Sequence, residues 1–198
     1  MESTAILVLY PHYHPVEAGE AATLVDLLAT MGLIGDAVPM EGHTHYATGD
    51  ELLNLVTFLG CAPHVMLEPP PAPGPMDFVN VGLTGPLSAP RLRRGRNTIT
   101  PPCPTCGARE HRWEALPGDG GPELRCNACG TVTAAVSLNW RKTAAVANCF
   151  IDIWGVYPAE AVPNPALMER LAAFSGGPWR HAYLLDELVG WGEERIPT

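Results

Sequence analysis

The chain has 198 residues, of which 46% are hydrophobic and 17% are charged, and its formal net charge is −9. This length allows one good hydrophobic core, or one core and a small additional module, and the composition is that of a globular protein. No apolar run reaches the roughly 18 residues that a membrane span needs, and the N-terminus lacks the basic start of a signal peptide. We therefore expect a cytoplasmic protein with no membrane partner.

Hydrophobic patterning predicts a strand and two helices in the first third of the chain. The continuous apolar run at 5–10 is typical of a buried strand. The spacing of apolar residues over 15–31 predicts an amphipathic helix. A strand or hairpin is expected within 37–46, and a capping box predicts a second helix over 48–59.

The middle of the chain contains a stiff connection between short extended segments. Brief strands are expected at 65–67 and 77–83. Between them, five prolines within residues 68–76 indicate an extended, proline-rich connection rather than core. The arginine-rich stretch 91–97 is predicted to be a basic loop.

The C-terminal part predicts a strand, a helix and a strand. The long apolar stretch 145–156 is the best candidate for a central strand. Asn164 and Pro165 are typical of a helix start, and the Gly-Gly-Pro sequence at 176–178 ends that helix. The segment 179–185 is expected to be a strand.

Two Cys-x-x-Cys pairs form the most specific motif in the sequence, and they contribute Cys103, Cys106, Cys126 and Cys129. Each pair allows two thiolates to converge on one ion, and the glycine after each second cysteine suits a left-handed backbone position. Four sulfur ligands in a tetrahedron favour Zn²⁺, with Fe as the second choice. Because the protein would fill every coordination position, the metal is expected to be structural. Two disulfides or four free thiols are the alternative.

The stretch from about 98 to 138 resembles the zinc-ribbon family and, more distantly, rubredoxin-like knuckles. Residue patterns predict short strands at 111–116, 123–126 and 131–138, around a turn-rich tip. Trp113 and Trp140 are expected to cover the metal knuckles. The resemblance implies four metal ligands and no activity.

These elements predict an α+β fold with an inserted zinc ribbon at 98–138. Its α/β-like body would consist of β-α-β units around one mixed sheet, built by residues 1–90 and 143–198 sharing one core. Neither part of the body has enough strands and helices to fold comfortably alone.

Two histidine pairs are a second candidate metal site. His12 and His14 follow the first strand, and His43 and His45 lie in the irregular stretch. Residues i and i+2 of an extended segment share a face, so each pair could hold one ion of Zn, Ni, Cu or Fe. The alternative is that these histidines are merely exposed loop residues, since nothing in the sequence brings the pairs together.

Two further cysteines, Cys61 and Cys149, remain outside the metal motif. We expect both to be small buried residues rather than nucleophiles, because free cysteine is among the most buried residue types.

Charge is distributed unevenly, and this bears on the choice of partner. Residues 1–90 contain ten acidic residues and no Lys or Arg, whereas residues 91–142 contain nine basic and four acidic residues. The acidic part would repel phosphate, so nucleic-acid binding would require a well-separated basic face.

Three hypotheses for function follow. The favoured one is a non-enzymatic, protein-binding accessory factor with a structural zinc site. The second is a nucleic-acid-binding protein that uses the ribbon and the basic segment Arg91–Arg96. The third is a metal-dependent enzyme or metal-handling protein that uses the histidine pairs. The sequence leaves enzymatic activity open and favours its absence.

Overall fold

The computed structural model describes residues 5–39, 44–59, 65–70, 77–108, 114–116, 122–156 and 160–188. The helices in these ranges are α1 (Ala21–Thr30), α2 (Leu52–Leu55) and α3 (Pro165–Ser175). The strands are β1 (Ala5–Pro11), β2 (Ile34–Pro39), β3 (Thr44–Thr48), β4 (Val56–Phe58), β5 (Asn80–Thr84), β6 (Arg91–Gly95), β7 (Glu114–Leu116), β8 (Glu123–Arg125), β9 (Val132–Ala134), β10 (Ala144–Ala147), β11 (Phe150–Trp154), β12 (Ala161–Pro163), β13 (Trp179–Leu185) and β14 (Glu187–Leu188).

A six-stranded sheet in the order β13-β1-β11-β5-β3-β2 forms the centre of the molecule. The predicted α+β class is confirmed. The sheet, however, is antiparallel in every pair that the structure describes, so the expectation of a mixed sheet of β-α-β units is wrong. The reason lies in the connections: α3 joins β12 and β13, which belong to different sheets, and no described helix crosses between neighbouring strands of the large sheet.

The strand β1 is buried on both faces, as the apolar run predicted. Leu7 and Leu9 pack into the cluster that contains the apolar residues of all three helices. Ile6 and Val8 point to the opposite face, where they pack against Ala145 and other residues of β10. The molecule therefore has three layers, with helices, the large sheet and a small sheet of order β10-β6-β14 stacked in that sequence.

Long-range pairing shortens both N-terminal helices relative to their predicted lengths. The second helix is a single turn, because Val56–Phe58 instead pairs with Ala161–Pro163 as a two-stranded sheet. The first helix begins with a 3-10 turn at Ala18 rather than at residue 15. Val16 is held extended by the side chain of Asn148, which bonds its amide and its carbonyl at 3.1 and 2.7 Å.

The predicted central strand at 145–156 is two strands in two different sheets. The break falls at Asn148, between β10 and β11. Besides binding Val16, Asn148 accepts a hydrogen bond from the Leu87 amide at 2.7 Å through its own carbonyl. The chain passes from the small sheet to the large one at this corner, and these bonds satisfy the backbone polar groups around it.

The segment predicted to be a basic loop is the strand β6 in the middle of the small sheet. Arg93 of this strand donates from Nη1 to both carboxylate oxygens of Asp152, at 2.7 and 3.0 Å. Its guanidinium also lies 4.8 Å from the ring centre of Phe150. Since Asp152 belongs to β11, this buried ion pair joins the two sheets.

Other expectations have mixed outcomes. The hairpin of β2 and β3, the start of α3 at Asn164 and the strand β13 are confirmed. Residues 65–67 form no strand. Part of the proline-rich connection, 71–76, lies outside the described residues, and the division into a body and an inserted module stays a prediction. None of the described helices combines the length and the apolar composition needed to cross a membrane.

The ion pair between the sheets generates the first prediction. Replacing Arg93 with Met is expected to lower the free energy of unfolding by about 3–5 kcal/mol, because Asp152 would stay buried without the cation that faces it. Replacing Arg96 with Met is the matched control, since its pair with Asp186 is exposed and is expected to contribute at most about 1 kcal/mol. Urea denaturation measures both. Equal, small losses would contradict a structural role for the buried pair.

Candidate functional site

The four cysteines of the paired motif lie together. All four sulfur atoms are within 4.8 Å of one another. Cys103 Sγ is 3.7 Å from Cys129 Sγ, and Cys106 Sγ is 3.9 Å from Cys126 Sγ. A tetrahedron of sulfurs around an ion at about 2.3 Å has edges of about 3.8 Å. The spacing therefore fits a four-coordinate metal ion.

The two Cys-x-x-Cys turns have the same backbone geometry. In each, the amide of the first cysteine, Cys103 or Cys126, donates to the carbonyl five residues later, at 3.0 and 2.8 Å. The following glycine, Gly107 or Gly130, donates its amide back to that cysteine's carbonyl at 2.9 and 2.8 Å. Both glycines have a left-handed backbone, with φ of 70° and 74°. This repeat explains why a glycine follows each pair, since other residues rarely adopt that conformation.

The protonation of the cluster favours a bound cation. The pKa of Cys129 is lowered to about 6 because the side chain and the amide of Thr131 hydrogen-bond to its sulfur. The Ala108 amide lowers the pKa of Cys106, but the Cys129 sulfur, burial, and the sulfurs of Cys103 and Cys126 together raise it to about 11. Four sulfurs this close do not all ionise unless a cation compensates their charge.

The cysteine cluster is packed against the rest of the protein. The short strands β7, β8 and β9 form the three-stranded sheet that the sequence predicted around the motif, within the residues described. Cys103 and Cys126 are buried in one apolar cluster with Trp140, and with Ala144 and Val146 of β10. The expected cover by Trp140 is therefore confirmed, whereas Trp113 lies outside the described residues.

The histidines do not form a second cluster in the part of the chain that the structure describes. His12 follows β1 and His45 belongs to β3, and two strands separate these in the sheet, which corresponds to about 14 Å. His45 is buried and its Nδ1 lies 2.7 Å from the Asn80 side-chain oxygen. His14 is exposed, and His43 lies outside the described residues. The cysteine cluster is the only group of three or more potential metal ligands found in the described ranges.

Cys149 behaves as predicted for an inert residue. Its side chain is buried, and burial, together with the nearby Asp152, raises the pKa of its thiol to about 12. Such a thiol is neither a nucleophile nor a metal ligand at neutral pH. Cys61 lies outside the described residues.

Two cavities adjoin the cysteine-bearing segment, and sequence analysis predicted neither. The first, the basic cavity, has a volume of about 330 Å³ and lies between residues 136–142 and the strands β1 and β13. Its lining includes Arg141, Lys142, Arg180 and three aromatic residues. A signal was present in the sequence, because a Trp-Arg dipeptide occurs at both 140–141 and 179–180.

The second cavity, the proline cleft, has a volume of about 430 Å³ and a mainly apolar lining. Four prolines line it, together with Tyr13, which is 59% exposed. Residues from 122–136 form one wall and residues from 11–15 and 88–90 form the other. The cleft therefore lies between the cysteine-bearing segment and the residues that follow β1 and precede β6.

Comparison with protein-family models, with curated proteins and with solved structures finds no match to this chain.

The cysteine cluster generates the second prediction. Replacing Cys126 and Cys129 together with Ser is expected to expose residues 98–138 to limited proteolysis before the six-stranded sheet is cut. The few apolar side chains of this segment cannot offset its chain entropy without a metal. Cys149→Ala is the matched control, because Cys149 lies outside the cluster, and its digestion pattern should equal that of the unmodified protein. Simultaneous loss of all segments in the double variant would show that the segment and the body unfold as one unit.

Proposed function

We propose that this protein is a non-enzymatic, protein-binding accessory factor whose four cysteines hold a structural Zn²⁺ ion. The observation that carries the proposal is the closed set of four sulfurs, spaced for a tetrahedral ion and packed against the strand β10. Cys103, Cys106, Cys126 and Cys129 would each supply one thiolate, so no coordination position remains for water or substrate. Such an ion stabilises structure and takes no part in a reaction.

Zinc is the preferred ion because of the ligand set and the surroundings. Four thiolates suit Zn²⁺ and iron, and both have similar bond lengths to sulfur. Zinc has no redox chemistry, which agrees with a centre that orders a surface rather than transfers electrons.

The proline cleft supports a partner that is a protein. It is mainly apolar, and Tyr13 on its rim combines high exposure with a φ of 67°, which is uncommon for a residue other than glycine. Exposed aromatic residues beside apolar clefts are typical of protein-binding surfaces. Because the cysteine-bearing segment forms one wall, the metal would keep the cleft in shape.

The other two hypotheses have less support. Nucleic-acid binding relied on a basic loop at 91–97, but Arg93 pairs with Asp152 inside the protein and Arg96 pairs with Asp186. These two carboxylates neutralise two of the positive charges that would otherwise be available to bind phosphate groups. A metal-dependent enzyme relied on the histidine pairs, and His12 and His45 lie about 14 Å apart across the sheet, too far for the two pairs to form one site.

The metal assignment gives the third prediction. Protein purified without added metal should contain one Zn²⁺ per chain by elemental analysis, and the Cys126→Ser and Cys129→Ser double variant should contain none. Cys149→Ala should retain the full content. Iron in place of zinc would indicate a rubredoxin-like centre. The absence of both metals, or cysteines oxidised in pairs, would overturn the structural metal site.

The fourth prediction concerns the partner. Tyr13→Asn should abolish capture of a specific protein from the native host in a pull-down analysed by mass spectrometry, because it removes the exposed ring. Asn tolerates a left-handed backbone, so the variant should fold. Leu53→Asn is the matched control, since Leu53 is similarly exposed, at 56%, and lies outside the cleft.

Two results would contradict the accessory role. One is equal capture by both variants, or no capture by the unmodified protein, which would remove the cleft as a binding surface. The other is loss of capture after nuclease treatment of the lysate, which would favour the nucleic-acid hypothesis instead.

A further inference from the structure

The basic cavity collects positive charge on the surface of an acidic protein. Arg141, Lys142 and Arg180 line it, and no acidic residue does so among the residues described. None of these three cations forms an ion pair with a described residue, in contrast to Arg93 and Arg96. We propose that the cavity binds a small organic anion, in which a phosphate or carboxylate group is attached to an apolar part. This proposal is independent of the partner-binding cleft.

The turn that carries two of the cations is held in an unusual conformation. Arg141 and Lys142 both have a left-handed backbone, with φ of 51° and 61°. Side chains other than glycine rarely adopt this region, so tertiary contacts must hold the turn in place. The Lys142 carbonyl accepts from the Tyr183 amide at 2.8 Å, which attaches the turn to the free edge of β13.

Two further hydrogen bonds make the turn rigid. The Arg141 amide donates to the side-chain oxygen of Asn139 at 3.0 Å, and the Thr143 amide donates to the Trp140 carbonyl at 2.9 Å. The two cationic side chains therefore leave a fixed backbone opposite Arg180 of β13. Preorganised cations bind an oxyanion with a smaller loss of entropy than mobile surface lysines do.

The remaining walls suit the uncharged part of such a ligand. Tyr10 and Trp140 contribute aromatic surface to the lining. Trp140 has its indole N–H group bonded internally, to the Ala135 carbonyl at 2.8 Å. Its ring is thereby fixed in orientation. A cavity of about 330 Å³ accommodates a molecule of the size of a phenyl phosphate.

The two histidines of the lining add no positive charge. Burial lowers the pKa of His181 to about 4, with a further contribution from Lys142, and burial and Arg180 lower the pKa of His12. Both rings are therefore neutral at pH 7, so the three cations alone supply the charge that an anion would meet.

The experiment titrates the metal-loaded full chain with phenyl phosphate and with benzoate and follows tryptophan fluorescence and indole N–H resonances. Inorganic phosphate tests the oxyanion alone, and benzyl alcohol tests the apolar part alone. Saturable binding of phenyl phosphate or benzoate, accompanied by a shift of the Trp140 resonance, is expected. Arg180→Gln should weaken this binding about tenfold or more, since it removes a charged hydrogen-bond donor. Because Arg180 is exposed and lies on an edge strand, this substitution is expected to leave the fold intact.

Arg170→Gln is the matched control, because Arg170 is an exposed cation on α3 that does not line this cavity. Its affinity should equal that of the unmodified protein, and binding should weaken as the salt concentration rises. Lys142→Gln provides a second variant with the same expected loss. The proposal is overturned if neither anion binds saturably at millimolar concentration. It is also overturned if benzyl alcohol binds as well as benzoate, or if Arg180→Gln and Arg170→Gln behave alike.

Discussion

The corner at Asn148 is the constraint on which the arrangement of this protein depends. A continuous apolar stretch passes from the small sheet to the large sheet at this residue, and the Asn148 side chain satisfies both backbone groups of Val16 at the bend. Because β10 belongs to the small sheet and only β11 enters the large one, β10 lies over the face formed by Ile6 and Val8. The cysteine-bearing segment then packs on β10 through the cluster that contains Cys103, Cys126 and Trp140.

The ion pair of Arg93 and Asp152 complements this corner. Apolar contacts alone would allow the two sheets to slide past each other, whereas a charged pair with two hydrogen bonds fixes their relative position. A buried pair of this kind adds little net stability compared with an apolar replacement, yet breaking it is costly. Its role here is consistent with aligning β6 against β11, so that the cysteine-bearing segment continues from a defined strand.

Both cavities are consequences of that alignment. Val136 and Val146 line the basic cavity and also the proline cleft, so the same packing of 122–142 on β10 shapes both. The two cavities nevertheless have different chemistry. The basic cavity is lined by three cations that form no ion pair with a described residue, and the proline cleft is lined by prolines and an exposed tyrosine. A metal ion bound by the four cysteines would support both surfaces without touching any ligand, which is the role expected of a closed coordination site.

Features specified by neighbouring residues were predictable from the sequence. Each Cys-x-x-Cys turn brings two sulfurs close within a few residues, and the glycine that follows has the left-handed backbone expected of it. The paired spacing predicted that the two turns would meet, and their sulfurs do lie 3.7 and 3.9 Å apart across the turns. The strands β1 and β13 and the start of α3 at Asn164 also follow from local patterns. Hydrophobicity and capping act over a few residues, so these elements need no knowledge of the fold.

Tertiary structure decided the features that depend on distant partners. The helix predicted over 48–59 stops after one turn because Val56–Phe58 finds a strand partner more than 100 residues away. The stretch 145–156 divides at Asn148 because that side chain meets Val16, which is 132 positions away. The segment Arg91–Gly95 is a strand because it pairs with β10 and β14, and Arg93 then faces a carboxylate on another sheet. The basic cavity combines residues 136–142 with residues 179–181, and no local pattern reports that two distant Trp-Arg dipeptides face one space.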